Sequence, residues 1–184
     1  MKFYLIPLGL ALVIGQPLWA DEISDTLQSA LDAYTEGDTA YALEEVDYAR
    51  QLLLALKADA LVGFLPEAPE GWTREVNTEM NAGLTMMGGG TGAEATYSGA
   101  DDRITLTLMA DNPMVGAMAG MIGNAAMFGA KVERIGREKF MVKDREVSGL
   151  IDNRILIKAE GADTDTMLGL IGTMDFKALK GFGQ

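Results

Sequence analysis

The chain reads as an α+β fold: an N-terminal helical hairpin packed on an antiparallel sheet flanked by two helices. Three observations predict it. Up to residue 65, apolar residues recur every three or four places, the period of a helix face. After Trp72 the period falls to two, the alternation of half-buried strands. The breaks between these alternating runs are so short that they allow only antiparallel neighbours.

The first helix is expected over Ile23–Glu36, with Ser24 as N-cap and Ile23 as a staple residue. Leu27, Ala30, Leu31 and Tyr34 fall on one face, and Gly37 stops the helix. Asp38 or Thr39 then caps a longer helix. Its residues Ala42, Val46, Ala49, Leu53, Leu56 and Ala60 step by four and three, which predicts a buried stripe. Glu44, Glu45, Asp47 and Arg50 occupy the opposite side, where Asp47 and Arg50 can pair across one turn. Glu44, Glu45 and Asp47, with Tyr48, form the candidate surface for a protein partner. Gly63 and Pro66 end the helix.

The run Ala33-Tyr34-x-x-Gly37-Asp38-x-x-x-Ala42-Leu43-x-x-Val46-x-x-Ala49 resembles the core of a tetratricopeptide repeat. The resemblance implies a Gly-Asp turn and two helices brought close through small alanines. It covers about one repeat, and no second copy follows at the period of about 34 residues. A lone hairpin lacks the concave groove of a stacked array, so packing on its own domain is the alternative role.

Leu65-Pro66-Glu67-Ala68-Pro69-Glu70-Gly71-Trp72 is a stiff, turn-prone stretch, with Trp72 expected to dock it on the core. Next, Ala93, Ala95 and Tyr97 alternate with polar neighbours, as do Ile104, Leu106, Leu108 and Ala110, around a turn at Gly99–Asp102. Asn112-Pro113 opens a helix reaching Phe128. Four short strands follow at Val132–Ile135, Lys139–Lys143, Glu146–Ile151 and Arg154–Glu160, turned at Gly136-Arg137, Asp144-Arg145 and Asp152-Asn153. Asp163 or Thr164 caps a last helix in which Met167, Ile171, Met174 and Ala178 share a face. This order of strands, helix, meander and helix is similar to the Mog1/PsbP-like α/β sandwich of exported and accessory proteins. The whole resembles uncharacterised exported bacterial proteins that join a single tetratricopeptide-like hairpin to such a domain, a resemblance that implies no activity. The expected organisation is a signal peptide at 1–20, the hairpin at 21–65, a linker at 66–72 and the sandwich at 73–184.

The signal peptide rests on Lys2, the apolar run Phe3–Ile14, the breakers Gly15 and Pro17, and the small Ala20 before the cut. It predicts an exported protein, with the bacterial periplasm as its expected compartment. The chain has no cysteine and no histidine. That removes thiolate and imidazole nucleophiles and the common zinc and haem ligands, and disfavours an enzyme. Lys and Arg number 15 against 27 Asp and Glu, a net charge of −12. Such a balance disfavours nucleic acid and anionic headgroups as partners and can steer a basic protein toward the molecule.

Two segments carry candidate ligand sites. Gly88-Gly89-Gly90-Thr91-Gly92 fits a dinucleotide fingerprint in letters, yet a strand pattern follows where the pyrophosphate site needs a helix. A loop closing over an apolar pocket, through Gly88, Gly89 and Gly90, is the better reading. The uncharged helix from Met114 to Phe128 is apolar or small on every side. Such a helix is buried all round, faces a hydrophobic ligand or touches membrane, and Asn124 inside about seventeen residues argues against insertion. Burial between sheet and hairpin is one reading. A hydrophobic pocket walled by Met114, Met118, Met121 and Phe128 is the other. Met114, Met118 and Met121 also have the spacing of a soft thioether site for Cu(I), although the preferred reading assigns no metal and no cofactor. Asp101-Asp102 and Asp163-Thr164-Asp165 are explained by a turn and a helix cap rather than by carboxylate catalysis or calcium.

The sequence therefore predicts a non-catalytic exported binding or accessory protein acting through protein–protein contact, with no stable membrane insertion after cleavage. A carrier of a lipid or other apolar small molecule is one alternative. An acidic inhibitor or immunity-type protein for a basic partner is another.

Overall fold

Strands β1 (Thr73–Asn77), β2 (Thr91–Ser98), β3 (Arg103–Ala110), β4 (Lys131–Ile135), β5 (Glu138–Lys143), β6 (Glu146–Ile151) and β7 (Ile155–Glu160) form one sheet. Its order is β1-β2-β3-β7-β6-β5-β4, and every pairing is antiparallel. The helices are α1 (Leu18–Glu36), α2 (Thr39–Val62), α3 (Met80–Met86), α4 (Pro113–Gly123), α5 (Thr164–Gly172) and α6 (Phe176–Lys180), with a 3-10 turn at Ala125–Phe128. This computed structural model describes residues 18–77, 79–86 and 89–184. Most of the signal peptide read from the sequence, residues 1–17, and Gly88 of the glycine loop lie outside the described residues. The protein is α+β: a helical pair followed by a seven-stranded antiparallel sheet with a few helices. Contacts divide the chain within α2, so that Leu53 ends one compact unit and Leu54 begins the second.

In the second unit, alternation along the strands puts Ala95, Tyr97, Ile104, Leu106, Leu108, Phe140, Val147, Ile155 and Ile157 into the main core. Leu61 from the end of α2, Leu65 just beyond it, Met167 and Ile171 from α5, and Leu179 from α6 close that face. The linker is held down by its own groups. The Tyr97 hydroxyl, fully buried, donates to the Pro66 carbonyl at 2.7 Å, and Trp72 packs on the core with its ring against Gly99. A Cβ at Gly99 would come within 2.7 Å of that ring.

The other face carries a smaller cluster of Leu84, Met109, Val115 and Leu156, with Met80, Met118 and Leu150 packed against it. Beside this cluster the same face turns polar. Glu94 accepts from Asn77 at 2.9 Å and from Thr107 at 3.0 Å, and Lys158 pairs with Glu160 at 2.7 Å. Burial alone would lower the Lys158 pKa. Glu160, Glu146 and Glu94 outweigh it and raise the pKa above the usual lysine value.

The structure corrects five details. Helix α1 begins at Leu18, so Ser24 lies inside it and is not its N-cap. Strand β1 and helix α3 have no counterpart in the sequence reading: β1 is short and charged at an edge, and α3 is only seven residues long. The helix expected to run from Met114 to Phe128 ends at Gly123. Asn124 leaves the helical conformation, and the chain continues as the 3-10 turn closed by left-handed Gly129. The last helix is two helices. Asp175 caps α6 by accepting from the Ala178 N–H, so Leu179 is buried where Ala178 was expected. The buried line of α2 runs through Ala42, Ala49, Leu52, Ala58 and Leu61, whereas Val46, Leu53 and Leu56 are exposed. Leucine surrounds the middle of this helix, so its period does not single out a face.

Candidate functional site

The hairpin turn follows from two residues. Gly37, at φ 88°, occupies the left-handed C′ position of α1. The Asp38 N–H bonds to the Ala33 carbonyl at 2.9 Å and the Gly37 N–H to Tyr34 at 3.2 Å, the paired bonds of a Schellman motif. Asp38 then caps α2, its carboxylate accepting from the Tyr41 N–H at 3.0 Å. Ala30 and Ala33 of α1 and Ala42 and Ala49 of α2 are buried, so the two helices meet through small side chains.

That close approach leaves the large residues outside. The face shared by Leu27, Leu31 and Tyr34 is not the buried one: Tyr34 is 66% exposed, as is Leu43 across from it. With Ala30, Ala42, Thr39 and Val46 these residues line an open apolar groove of about 530 Å³. On the other flank of α1, Asp25, Gln28, Asp32 and Glu36 join Asp38 and Tyr41 around a second, polar hollow of about 360 Å³. The hairpin is strongly acidic. Ten carboxylates lie from Asp21 to Asp59, against two basic residues, Arg50 and Lys57.

None of the four predicted partner residues lines the groove. Glu44 and Asp47 are exposed and Glu45 is half-buried. Tyr48 turns toward α1 and donates its hydroxyl to Glu22 Oε1 at 2.8 Å. That hydrogen bond and the Glu22 charge raise the Tyr48 pKa above the usual tyrosine value. The groove residues Leu27, Leu31, Tyr34, Leu43 and Val46 were visible as apolar positions. The signal that separates them from the core is the alanine seam beside them, which reserves the contact between helices for small side chains.

The glycine loop and the methionine helix meet at Asn112. The Asn112 side chain accepts from the Met114 N–H at 2.8 Å, capping α4, and donates to the Gly89 carbonyl. Gly90, at φ 106°, leaves room for this contact, because a Cβ there would lie 2.8 Å from Asn112 Cβ. Two residues on, Asn81 of α3 donates to the Gly92 carbonyl and accepts from its N–H, both at 2.8 Å. The described glycines thus bring backbone close to α3 and to the cap of α4, and strand β2 follows them. Of the predicted pocket residues, Met118 packs into the small cluster on the sheet. Met121 lies over a polar hollow with Met141, Lys143 and Glu146. Met114 and Phe128 are exposed, and only Val115 of α4 is fully buried. The helix is therefore not enclosed on every side: it covers part of one sheet face and presents an uncharged outer surface.

Asp101-Asp102 forms a turn in which the Gly99 N–H bonds to the Asp102 carbonyl at 2.9 Å. Asp163 caps α5. Its carboxylate accepts from the Thr166 hydroxyl and N–H, which hold its pKa below the ordinary value. Among the described residues no three acidic, histidine or cysteine side chains gather as a metal site, and no helix is long and apolar enough to cross a membrane. Comparison with protein-family models, with characterised proteins and with solved structures gives no match for this chain.

Proposed function

We propose that the protein is a non-catalytic, exported binding protein of the periplasm whose hairpin groove takes a basic, apolar-faced helical segment of a partner protein. The observation that carries this reading is the groove of Leu27, Leu31, Tyr34, Leu43 and Val46, uncovered among the described residues, on a hairpin with ten carboxylates and two basic residues. A tetratricopeptide-like unit in an array covers such a face with its neighbour. Among the described residues the face is open, and an amphipathic helix laid into a groove is a recurring way to cover one. Half-burying each of these side chains contributes about 1 kcal/mol. The surrounding carboxylates add salt-sensitive steering toward a cationic partner. The leader at residues 1–20 supports export, and the absence of cysteine and histidine supports a binding role over catalysis.

A direct test titrates the protein with an amphipathic lysine–leucine helical peptide and with its glutamate–leucine counterpart. The basic peptide is expected to bind, to weaken as salt rises, and to lose most of its affinity to a Leu31→Ser, Leu43→Ser variant. Equal binding of both peptides, or full affinity in the variant, refutes the proposal.

A further inference from the structure

A second groove, about 870 Å³ in volume, opens between the end of α4 with its 3-10 turn and the β4–β5–β6 side of the sheet. Its volume is in the range of small-molecule sites, about 300–1,000 Å³. One wall is apolar, built from Ile122, Ala125 and Met127 facing Val132 and Leu150. Met127 is 84% exposed and Val132 47%, so the wall is wetted. The rim is cationic: Arg134, Arg137 and Lys139 all line it.

The arrangement of those cations is unusual for an acidic protein. In the β4–β5 register Arg134 sits directly opposite Lys139, and Arg137 is in the turn joining the two strands. Like charges directly opposite each other destabilise a strand pair. Charges on β4 protect an exposed edge from pairing with another chain. Edge protection accounts for charge there, but opposite signs would serve it equally and stabilise the pair. None of the three cations has an ion pair or side-chain hydrogen bond within the described residues. The single carboxylate on the rim, Glu138, is engaged elsewhere, accepting from Lys180 Nζ at 2.7 Å. Three unpaired cations therefore stand over an apolar trough, on a chain whose net charge is −12.

We propose that this groove binds a single-chain anionic amphiphile, such as a long-chain carboxylate. The head group bridges Arg134, Lys139 and Arg137, and the alkyl chain lies along Ile122, Met127, Val132 and Leu150. The anion removes the repulsion across the β4–β5 pair, and the chain covers apolar surface that water now wets. Because the 3-10 turn supplies Ala125 and Met127, the break in the helix at Asn124 shapes the trough. The site shares no residue with the hairpin groove and does not depend on the function proposed for it.

Calorimetric titration of the full chain with monomeric dodecanoate, below its micelle-forming concentration, tests the proposal. On net charge alone the protein prefers dodecyltrimethylammonium. The groove requires the reverse, with dodecanoate bound at one site and at least about tenfold more tightly. Each methylene fully buried strengthens binding about fourfold, so octanoate binds much more weakly than dodecanoate. Each exposed cation contributes about two- to fivefold, so Arg134→Gln with Lys139→Gln lowers dodecanoate affinity about tenfold. The same double variant unfolds at an unchanged or higher temperature without ligand, which separates a lost site from a lost fold. Preference for the cationic amphiphile, or full dodecanoate affinity in the double variant, overturns the proposal. So does capture of the protein by phosphatidylglycerol vesicles without binding of monomeric dodecanoate, which would make the face a membrane contact instead.

Discussion

Replacing Tyr97 by phenylalanine removes one oxygen from the most enclosed hydrogen bond of the linker. The Tyr97 side chain is fully buried, its hydroxyl donates to the Pro66 carbonyl at 2.7 Å, and Pro66 is itself buried. A typical hydrogen bond is worth about 1 kcal/mol net, but leaving a buried acceptor unpaired costs about 1–3 kcal/mol. Tyr97→Phe therefore destabilises the protein by about 2 kcal/mol at neutral pH. For a unit of about 130 residues that lowers the melting temperature by about 7 °C. A second signature comes from titration. Burial pushes the Tyr97 pKa up to about 12, the Glu67 charge adds to the rise, and nearby Arg74 opposes it. Between pH 10 and 12 the unfolded tyrosine has lost its proton while the folded one keeps it. The native state then binds more protons, so stability falls as pH rises through this window. The stabilisation is fully present below pH 10. Urea unfolding of both proteins at pH 7 and pH 11 measures both effects, and the variant is expected to lose less stability between the two. Equal stability at pH 7, or the same alkaline loss in both proteins, refutes the role assigned to this hydroxyl.

Gly149→Ala sets a Cβ against the Phe140 ring, 2.6 Å from Cε1 and 3.0 Å from the Lys139 carbonyl. Overpacking there costs about 1–3 kcal/mol, and a double-mutant cycle with Phe140→Leu is expected to recover part of it. Asp163→Asn keeps a cap on α5 but removes the titrating group. The wild-type pKa is depressed, so its stabilisation is present above the unfolded value and is lost as pH falls through the folded one. Thermal melts from pH 7 to pH 3 should show a flatter acid limb in the variant. Asn112→Ala removes both the cap of α4 and the bond to Gly89. It is expected to cost about 1–2 kcal/mol and to raise amide exchange in the first turn of α4 before other helices respond.

Several turns and caps were legible because a few neighbouring atoms decide them, although Ser24 lies inside α1 and the Asp175 cap of α6 was missed. Gly37-Asp38 closes the hairpin, Asn112 caps α4, Asp163 caps α5, and Asp152-Asn153 turn β6 into β7 with both residues at positive φ. In each case the deciding contact is a short-range hydrogen bond or a backbone angle that favours Gly, Asn or Asp. The alternation that makes β2, β3, β6 and β7 is equally local, and turns of two or three residues determine that the meander is antiparallel.

Burial depends on a wider competition. Leu27, Leu31 and Val46 are no less apolar than Leu52 or Leu61, yet the alanine seam takes the contact between the helices and leaves them exposed. Helix α4 has no polar side to orient it, so its position follows from the caps at its start and from Val115 and Met118 on the sheet. The Arg134–Lys139 pair exists only once the β4–β5 register is set, and the trough beside it only once the chain leaves helix at Asn124. Local sequence chemistry therefore specifies elements, turns and compositional charge. Which faces are covered, and which unlike groups meet across a groove, depends on the free energy of packing distant segments together, because burial is non-directional and any apolar face can compete for the same core.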